Sequence, residues 1–139
     1  MKAERFVLDS NVLISAALLS SSTPARLLYA LRTADSVLLF SQETQAELQN
    51  RLMKIKFDPY VSAKTRLRFL AQLDAVSEYV YIANKIMGCR DPEDDKFLET
   101  ALSGNAKFLI TGDEDLLIMH PFHNIPILTP RQGLNLFSP

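Results

Sequence analysis

Short apolar runs alternate with helix-sized amphipathic segments along this 139-residue chain, and that alternation limits its fold more than any other feature. Phe6-Val7-Leu8 favours β structure and stops at Asp9-Ser10-Asn11, residues that cap helices, ahead of the apolar segment 12–19. This reads as strand, turn, helix. Ser20-Ser21-Ser22-Thr23-Pro24 is a polar break, with Pro24 placed to open a second helix that carries Leu27, Leu28 and Leu31. Val37-Leu38-Leu39-Phe40 resembles a buried strand, and Ser41 is the expected N-cap of a helix over 42–54 with Leu48, Leu52 and Ile55 along one side. Asp58-Pro59 is expected to start a helix with Leu67, Leu70 and Leu73 inward. Tyr79-Val80-Tyr81-Ile82 alternates as a strand. After a loop holding Gly88, Cys89 and Arg90, Asp91-Pro92-Glu93-Asp94 begins a helix ending near Gly104-Asn105. Phe108-Leu109-Ile110, a short helix through Leu116 and Leu117, an edge strand at Ile125-Pro126-Ile127-Leu128 and a terminal helical turn from Pro130 complete the chain. Strands separated by helices in this way imply an α/β fold with a parallel sheet covered on both faces.

The pattern runs without repeat, low-complexity tract or linker, so one domain over 1–139 is expected. A chain this long, 47% hydrophobic, buries enough surface to need neither disulfides nor a structural metal. Its longest apolar stretch is broken by Ser15 and falls short of the roughly 20 residues of a membrane span. The single Cys89 cannot form an intrachain bridge, and a reducing cytoplasm is the expected compartment. With 15 basic against 16 acidic side chains, general coating of a polyanion is excluded and any nucleic-acid contact must be local.

The acids fall at telling places. Ligands of open parallel sheets bind beyond the carboxyl ends of the strands. Asp9 follows the first strand directly, and Asp113 follows the run 107–111 after one Gly. Glu47 and Asp94 can reach the same edge from helix starts. Each also has a plainer reading: Asp9 and Asp113 as helix caps, Glu47 as the partner of Arg51 four residues on, Asp91 and Asp94 as part of a capping turn. Asp94, however, projects onto the apolar face formed by Phe97, Leu98, Ala101 and Leu102, whereas Asp95 is displaced by about 100° and reads as an outer support of the site or as solvated. Carboxylates gathered in a cleft raise one another's pKa unless a cation neutralises them. Oxygen ligands without a His or Cys cluster select Mg²⁺ or Mn²⁺ over Zn²⁺, and metal-assisted phosphoryl transfer is the chemistry implied.

The segments Phe6-Val7-Leu8-Asp9-Ser10-Asn11-Val12, 41–48, Arg90-Asp91-Pro92-Glu93-Asp94-Asp95-Lys96-Phe97-Leu98 and Leu109-Ile110-Thr111-Gly112-Asp113-Glu114-Asp115-Leu116 resemble, in order, the motifs of a PIN domain. The resemblance covers roughly residues 5–128 and is strongest to the VapC-like toxin branch of toxin–antitoxin systems. It implies a three-layer α/β/α sandwich with a five-stranded parallel sheet and dependence on Mg²⁺ or Mn²⁺. It also implies endonucleolytic cleavage of single-stranded RNA, a homodimer and an antitoxin partner. Carried over residue by residue, it assigns catalysis and metal binding to Asp9, Glu47, Asp94 and Asp113. Ser10, Asn11 and Thr111 match residues that orient the acids or the attacking water, and Asp115 is an auxiliary ligand.

Residues 51–68 hold Arg51, Lys54, Lys56, Lys64, Arg66 and Arg68 against one acid, Asp58, with Phe57 and Tyr60 between them. Two readings stand: a patch that grips RNA phosphates and stacks a base, or two solvated helix faces. His120 and His123 flank Pro121 and read as loop surface, and Cys89 as a buried thiol. Two rival functions remain. One is a phosphatase or phosphoryl-accepting domain, against which Ser10-Asn11 supplies no Asp-x-Asp pair; the other is a non-catalytic module binding RNA or protein.

Overall fold

The computed structural model describes residues 4–84, 86 and 88–137. Five short strands form one wholly parallel sheet: β1 (Arg5–Leu8), β2 (Val37–Phe40), β3 (Ser77–Tyr79), β4 (Phe108–Ile110) and β5 (Ile127–Leu128), in the order β3-β2-β1-β4-β5. Among the described residues seven α-helices surround it: α1 (Ser10–Leu18), α2 (Thr23–Thr33), α3 (Gln42–Leu52), α4 (Ala63–Ala75), α5 (Asp95–Ser103), α6 (Glu114–Leu117) and α7 (Pro130–Phe137). The expected α/β/α sandwich is the observed architecture.

Strand side chains point alternately to the two faces, and both faces are apolar. Phe6, Leu8, Leu38, Phe40 and Ile110 pack with Val12, Leu13, Leu27, Leu31, Leu48, Leu73 and Leu134 from α1, α2, α3, α4 and α7. Val7, Leu39, Leu109 and Ile127 face the other way, against Phe97, Leu98, Ala101 and Leu116 of α5 and α6. Buried hydroxyls tie the layers where the site will form. Ser41 caps α3 by accepting from Thr44 N at 3.2 Å, Ser41 N donates to Thr44 Oγ1 at 3.0 Å, and Thr100 of α5 places its Oγ1 3.0 Å from Ser41 Oγ. Glu47 on α3 and Asp94 at the head of α5 are thereby held in register.

The chain lays down β1, β2 and β3 outward in one direction, then crosses back to place β4 on the other side of β1. Such a reversal opens a crevice beyond the carboxyl ends of the two strands flanking it. Leu8 pairs with Ile110, and Asp9 N donates to Ile110 O at 3.1 Å, so Asp9 and Thr111 leave the sheet side by side.

Several sequence expectations shift. The helix expected at Asp58-Pro59 starts at Ala63, because Ser62 supplies the cap, accepting from Thr65 N at 3.1 Å, while the Asp58 carboxylate is engaged by Arg66. The buried face of α4 runs through Arg66, Phe69, Leu70 and Leu73, which turns Leu67 outward. The third helix stops at Leu52, and Ile55 falls in a 3-10 turn, 81% exposed. The third strand is Ser77–Tyr79 instead of 79–82, because its partner β2 ends at Phe40 opposite Tyr79. No single helix among the described residues is long and apolar enough to cross a membrane.

The largest correction concerns Arg66, expected in a phosphate-gripping patch. It is 1% exposed. Its guanidinium donates to Leu52 O at 2.8 Å, Lys54 O at 3.1 Å and Val61 O at 3.0 Å, and pairs with Asp58. It thus satisfies a carbonyl that the end of α3 leaves orphaned and pins the loop into α4. It offers no nitrogen to a ligand. Arg66→Ala is expected to lower stability by about 3 kcal/mol, because three carbonyls lose their donor in a closed site. Urea unfolding measures this, and a loss below about 1 kcal/mol contradicts the structural role.

Candidate active site

A cleft of about 250 Å³ opens beyond β1 and β4, and Asp9, Glu47, Asp94 and Asp113 all line it. The four acids expected from sequence are brought together, with Ser10, Asn11, Arg51, Asp91, Glu93 and Phe97 completing the walls.

Asp9, 3% exposed, is the N-cap of α1. Its Oδ1 accepts from Val12 N at 2.9 Å and its Oδ2 from the Thr111 hydroxyl. Thr111 Oγ1 in turn accepts from Asp113 N at 2.9 Å, so one buried threonine orients both strand-end acids. Asp113 caps α6 by accepting from Asp115 N at 2.8 Å. Capping and site membership are the same geometry here, since a capping carboxylate stands at the strand's carboxyl end. Burial pushes the Asp9 carboxyl up; the hydrogen bonds from Thr111 and Val12 oppose this, and the charges of Asp113 and Glu47 add to it.

Glu47 is fully engaged. Its Oε2 accepts from the Ser10 hydroxyl, and its Oε1 lies 3.0 Å from Lys96 Nζ and 3.2 Å from Arg51. Arg51 also donates to Asn11 Oδ1 at 3.3 Å. Asp94 is the opposite case. Its Oδ2 is buried with no hydrogen-bond donor in reach, and its neighbour is the Asp113 carboxyl. Burial first, then a hydrogen bond that the protonated Asp94 carboxyl donates to Asp113, charge repulsion from Asp113, and the charges of Asp91 and Asp9 push Asp94 up to about 7. Two acids so placed share a proton or a cation.

Carboxylate oxygens of Asp91, Asp94 and Asp115 lie within 4.8 Å of one another, close enough to hold one divalent ion. The donors are hard oxygens, which suits Mg²⁺ or Mn²⁺ and not Zn²⁺. The orphaned Asp94 oxygen is what such an ion would satisfy. Asp115 is also 2.7 Å from Arg90. The remaining ligand types are turned elsewhere: His120 Nδ1 accepts from Ile127 N at 2.9 Å, and Cys89 Sγ lies 3.2 Å from Asp115 O. Burial raises the Cys89 thiol, with the surrounding acids adding to the shift.

The chain matches the PIN domain family over residues 5–115. It belongs to the PIN domain family. PIN domains are in general metal-dependent nucleases, and the acids gathered here fit that chemistry. The chain is similar, at 29% identity over 114 residues, to uncharacterized protein MJ1680 of Methanocaldococcus jannaschii, covering 81% of this chain and 73% of that protein. Its fold resembles the crystal structure of PAE2754 from Pyrobaculum aerophilum, with a TM-score of 0.65 at 15% identity over 97% of this chain and 90% of the other.

Sequence reasoning does not reach Asp91 and Glu93 in the wall of this PIN domain's cleft, nor Lys96 beside Glu47. Asp91 is the cap expected from the sequence, accepting from Glu93 N at 3.0 Å, and it also lines the cleft. Lys96 gave no periodic signal; its placement against Glu47 depends on the packing of α5 on α3. Asp95, expected as an outer support of the site or as solvated, accepts from Cys89 N at 3.0 Å and anchors the loop leading to Asp91. A carboxyl raised above its unfolded value favours the folded state below about pH 4, and that contribution is lost as pH rises through about 7. In chelator, Asp94→Asn is therefore expected to raise Tm above wild type at about pH 8, with the gain shrinking towards about pH 5. Thermal melts across that range check it; a gain independent of pH contradicts the assignment.

Proposed function

We propose that this PIN domain is a metal-dependent endoribonuclease that hydrolyses phosphodiester bonds of single-stranded RNA. The observation that carries the reading is the buried Asp94 oxygen left without a donor in a carboxyl that also neighbours Asp113, an arrangement that calls for a cation. Asp9, Asp94 and Asp113, which line one cleft, would hold an Mg²⁺ or Mn²⁺ ion, and the converging oxygens of Asp91 and Asp115 beside Asp94 would offer it further ligands. When bound, the ion supplies charge neutralisation at the phosphate and lowers the pKa of water, making the nucleophile.

The chain's own residues do the positioning. Thr111 fixes the Asp9 carboxyl and the Asp113 backbone, and Asp115 N holds the Asp113 carboxyl, so neither carboxyl needs to reorient as substrate enters. Ser10 and Lys96 fix Glu47, which holds the Arg51 guanidinium at the rim, where it meets an entering phosphate. Glu47 itself completes the outer shell or orients water. Both Asp9 oxygens accept hydrogen bonds, which makes Asp9 a poor nucleophile and disfavours a phosphoryl-accepting role.

The order of the motifs supports a further step, that the chain acts in the cytoplasm as the toxin of a toxin–antitoxin pair, as a homodimer restrained by an antitoxin. Purified protein with labelled single-stranded RNA, and with DNA of the same sequence, in Mg²⁺, Mn²⁺ or chelator tests the activity. Cleavage of RNA that falls by about a hundredfold or more in chelator, in Asp9→Asn and in Asp94→Asn is expected. Undiminished cleavage by both variants, or release of phosphate from a small phosphomonoester instead, overturns the proposal. Growth arrest on expression, relieved by Asp9→Asn, tests the toxin role.

A further inference from the structure

Two grooves adjoin the acidic cleft, and they carry opposite charge. One, of about 350 Å³, is lined by Asn11, Ile14, Arg51, Lys54, Lys56 and Phe57, and shares Asn11 and Arg51 with the cleft. It contains three cations and no acid. The other, of about 290 Å³, meets the cleft at Glu93 and holds Glu43, Asp95 and Glu99 besides, against Lys96. Three elements build the cationic groove: the start of α1, the last turn of α3 and the 3-10 turn Ile55–Phe57 that follows. That turn is set by Arg66, which binds the carbonyls of Leu52 and Lys54 from behind and leaves Lys54 and Lys56 pointing to solvent. Lys64 and Arg68, also exposed, are not part of the groove lining.

We infer that a single strand with its scissile phosphate in the cleft continues on one side only, across Arg51 into the Lys54–Lys56 groove, and is turned away from the acidic groove on the other. The inference rests on the reading of the cleft as a site for single-stranded RNA. A phosphate next to the scissile one meets Arg51 and Lys54 on the first path, and on the second the carboxylates of Glu93, Glu43 and Asp95, Glu99 being buried against backbone N–H groups. Ile14 and Phe57 give the cationic path an apolar wall against which one base rests, sequence-tolerant because every base presents a flat face. The enzyme's hold on its substrate is therefore lopsided. Nucleotides on the groove side of the cut add affinity, and those on the far side add none.

The test uses a short fluorescein-labelled oligouridylate and reads anisotropy in EDTA, so that binding is seen without cleavage. Replacing both Lys54→Gln and Lys56→Gln is expected to weaken binding about tenfold. It should also flatten the slope of log K against log salt by about 1.4, two phosphate contacts on a single strand. The paired change Lys64→Gln and Arg68→Gln leaves affinity within about twofold. A photoreactive azide attached at Lys56→Cys crosslinks to the strand, and one attached at Glu43→Cys does not. Equal losses from the two lysine/arginine pairs, or equal crosslinking from the two positions, overturn the inference. So does unchanged RNA binding accompanied by lost binding of an oligoglutamate peptide, which would make the groove a protein-docking surface. Groove-dependent binding without any Mn²⁺-dependent cleavage upholds the inference and removes only the nuclease reading.

Discussion

Asp94 and Asp113 face each other where the protein provides no donor for one of the Asp94 oxygens, and the surrounding structure is arranged to sustain that mismatch. Left alone, two such carboxylates would move apart into water. Here they cannot. Asp113 is tied by Asp115 N and by its own N–H to Thr111, while Asp94 sits at the turn into α5, whose packing is fixed by Phe97, Leu98 and Ala101 against the sheet. The rigid parts of the domain therefore impose a local instability that a cation relieves.

Glu47 shows the contrast. It carries the same charge in the same cleft, yet Ser10, Arg51 and Lys96 satisfy it completely. The carboxylates thus divide into one whose partners the chain itself supplies and a group around Asp94 left short of positive charge. The division follows from which helix each acid rides on. Glu47 lies mid-helix on α3, one turn before Arg51 and across from Lys96 on α5, whereas Asp9 and Asp113 stand at strand ends, where only backbone N–H groups and one threonine reach them.

Much of this was legible in the residues because strand ends and helix faces are periodic features. Asp9 and Asp113 follow apolar runs, and their side chains emerge at the sheet's carboxyl edge whatever the detailed packing. Asp94 betrayed itself by standing on an apolar helical face. The errors have a common cause. Which arginine of a basic stretch is buried depends on which backbone carbonyls end up without donors, and the three that Arg66 serves come from the end of α3 and from the loop beyond it. Lys96 and Asp91 were likewise invisible, since their neighbours come from segments distant in sequence or from a turn too short to be periodic. The third strand slid by two residues because β2, not the pattern of 79–82 itself, sets where pairing ends.

A formal net charge of −1 conceals this zoning. Summed over the chain, 15 basic and 16 acidic side chains suggest no preference for a polyanion, but the fold sorts them into an acid-rich centre with a cationic groove on one flank and an acidic one on the other. Arg51 is the hinge of that sorting. Its guanidinium reaches Glu47 in the centre and Asn11 at the border with Lys54 and Lys56, so it belongs to both zones. The cations Arg51, Lys54 and Lys56 stand along one groove, and that groove ends beside the acids. Screening by salt weakens attraction between exposed charges beyond roughly 8 Å at physiological ionic strength, so the steering acts only near the cleft. Local arrangement, not overall charge, is what equips this chain to bring a phosphate to its carboxylates.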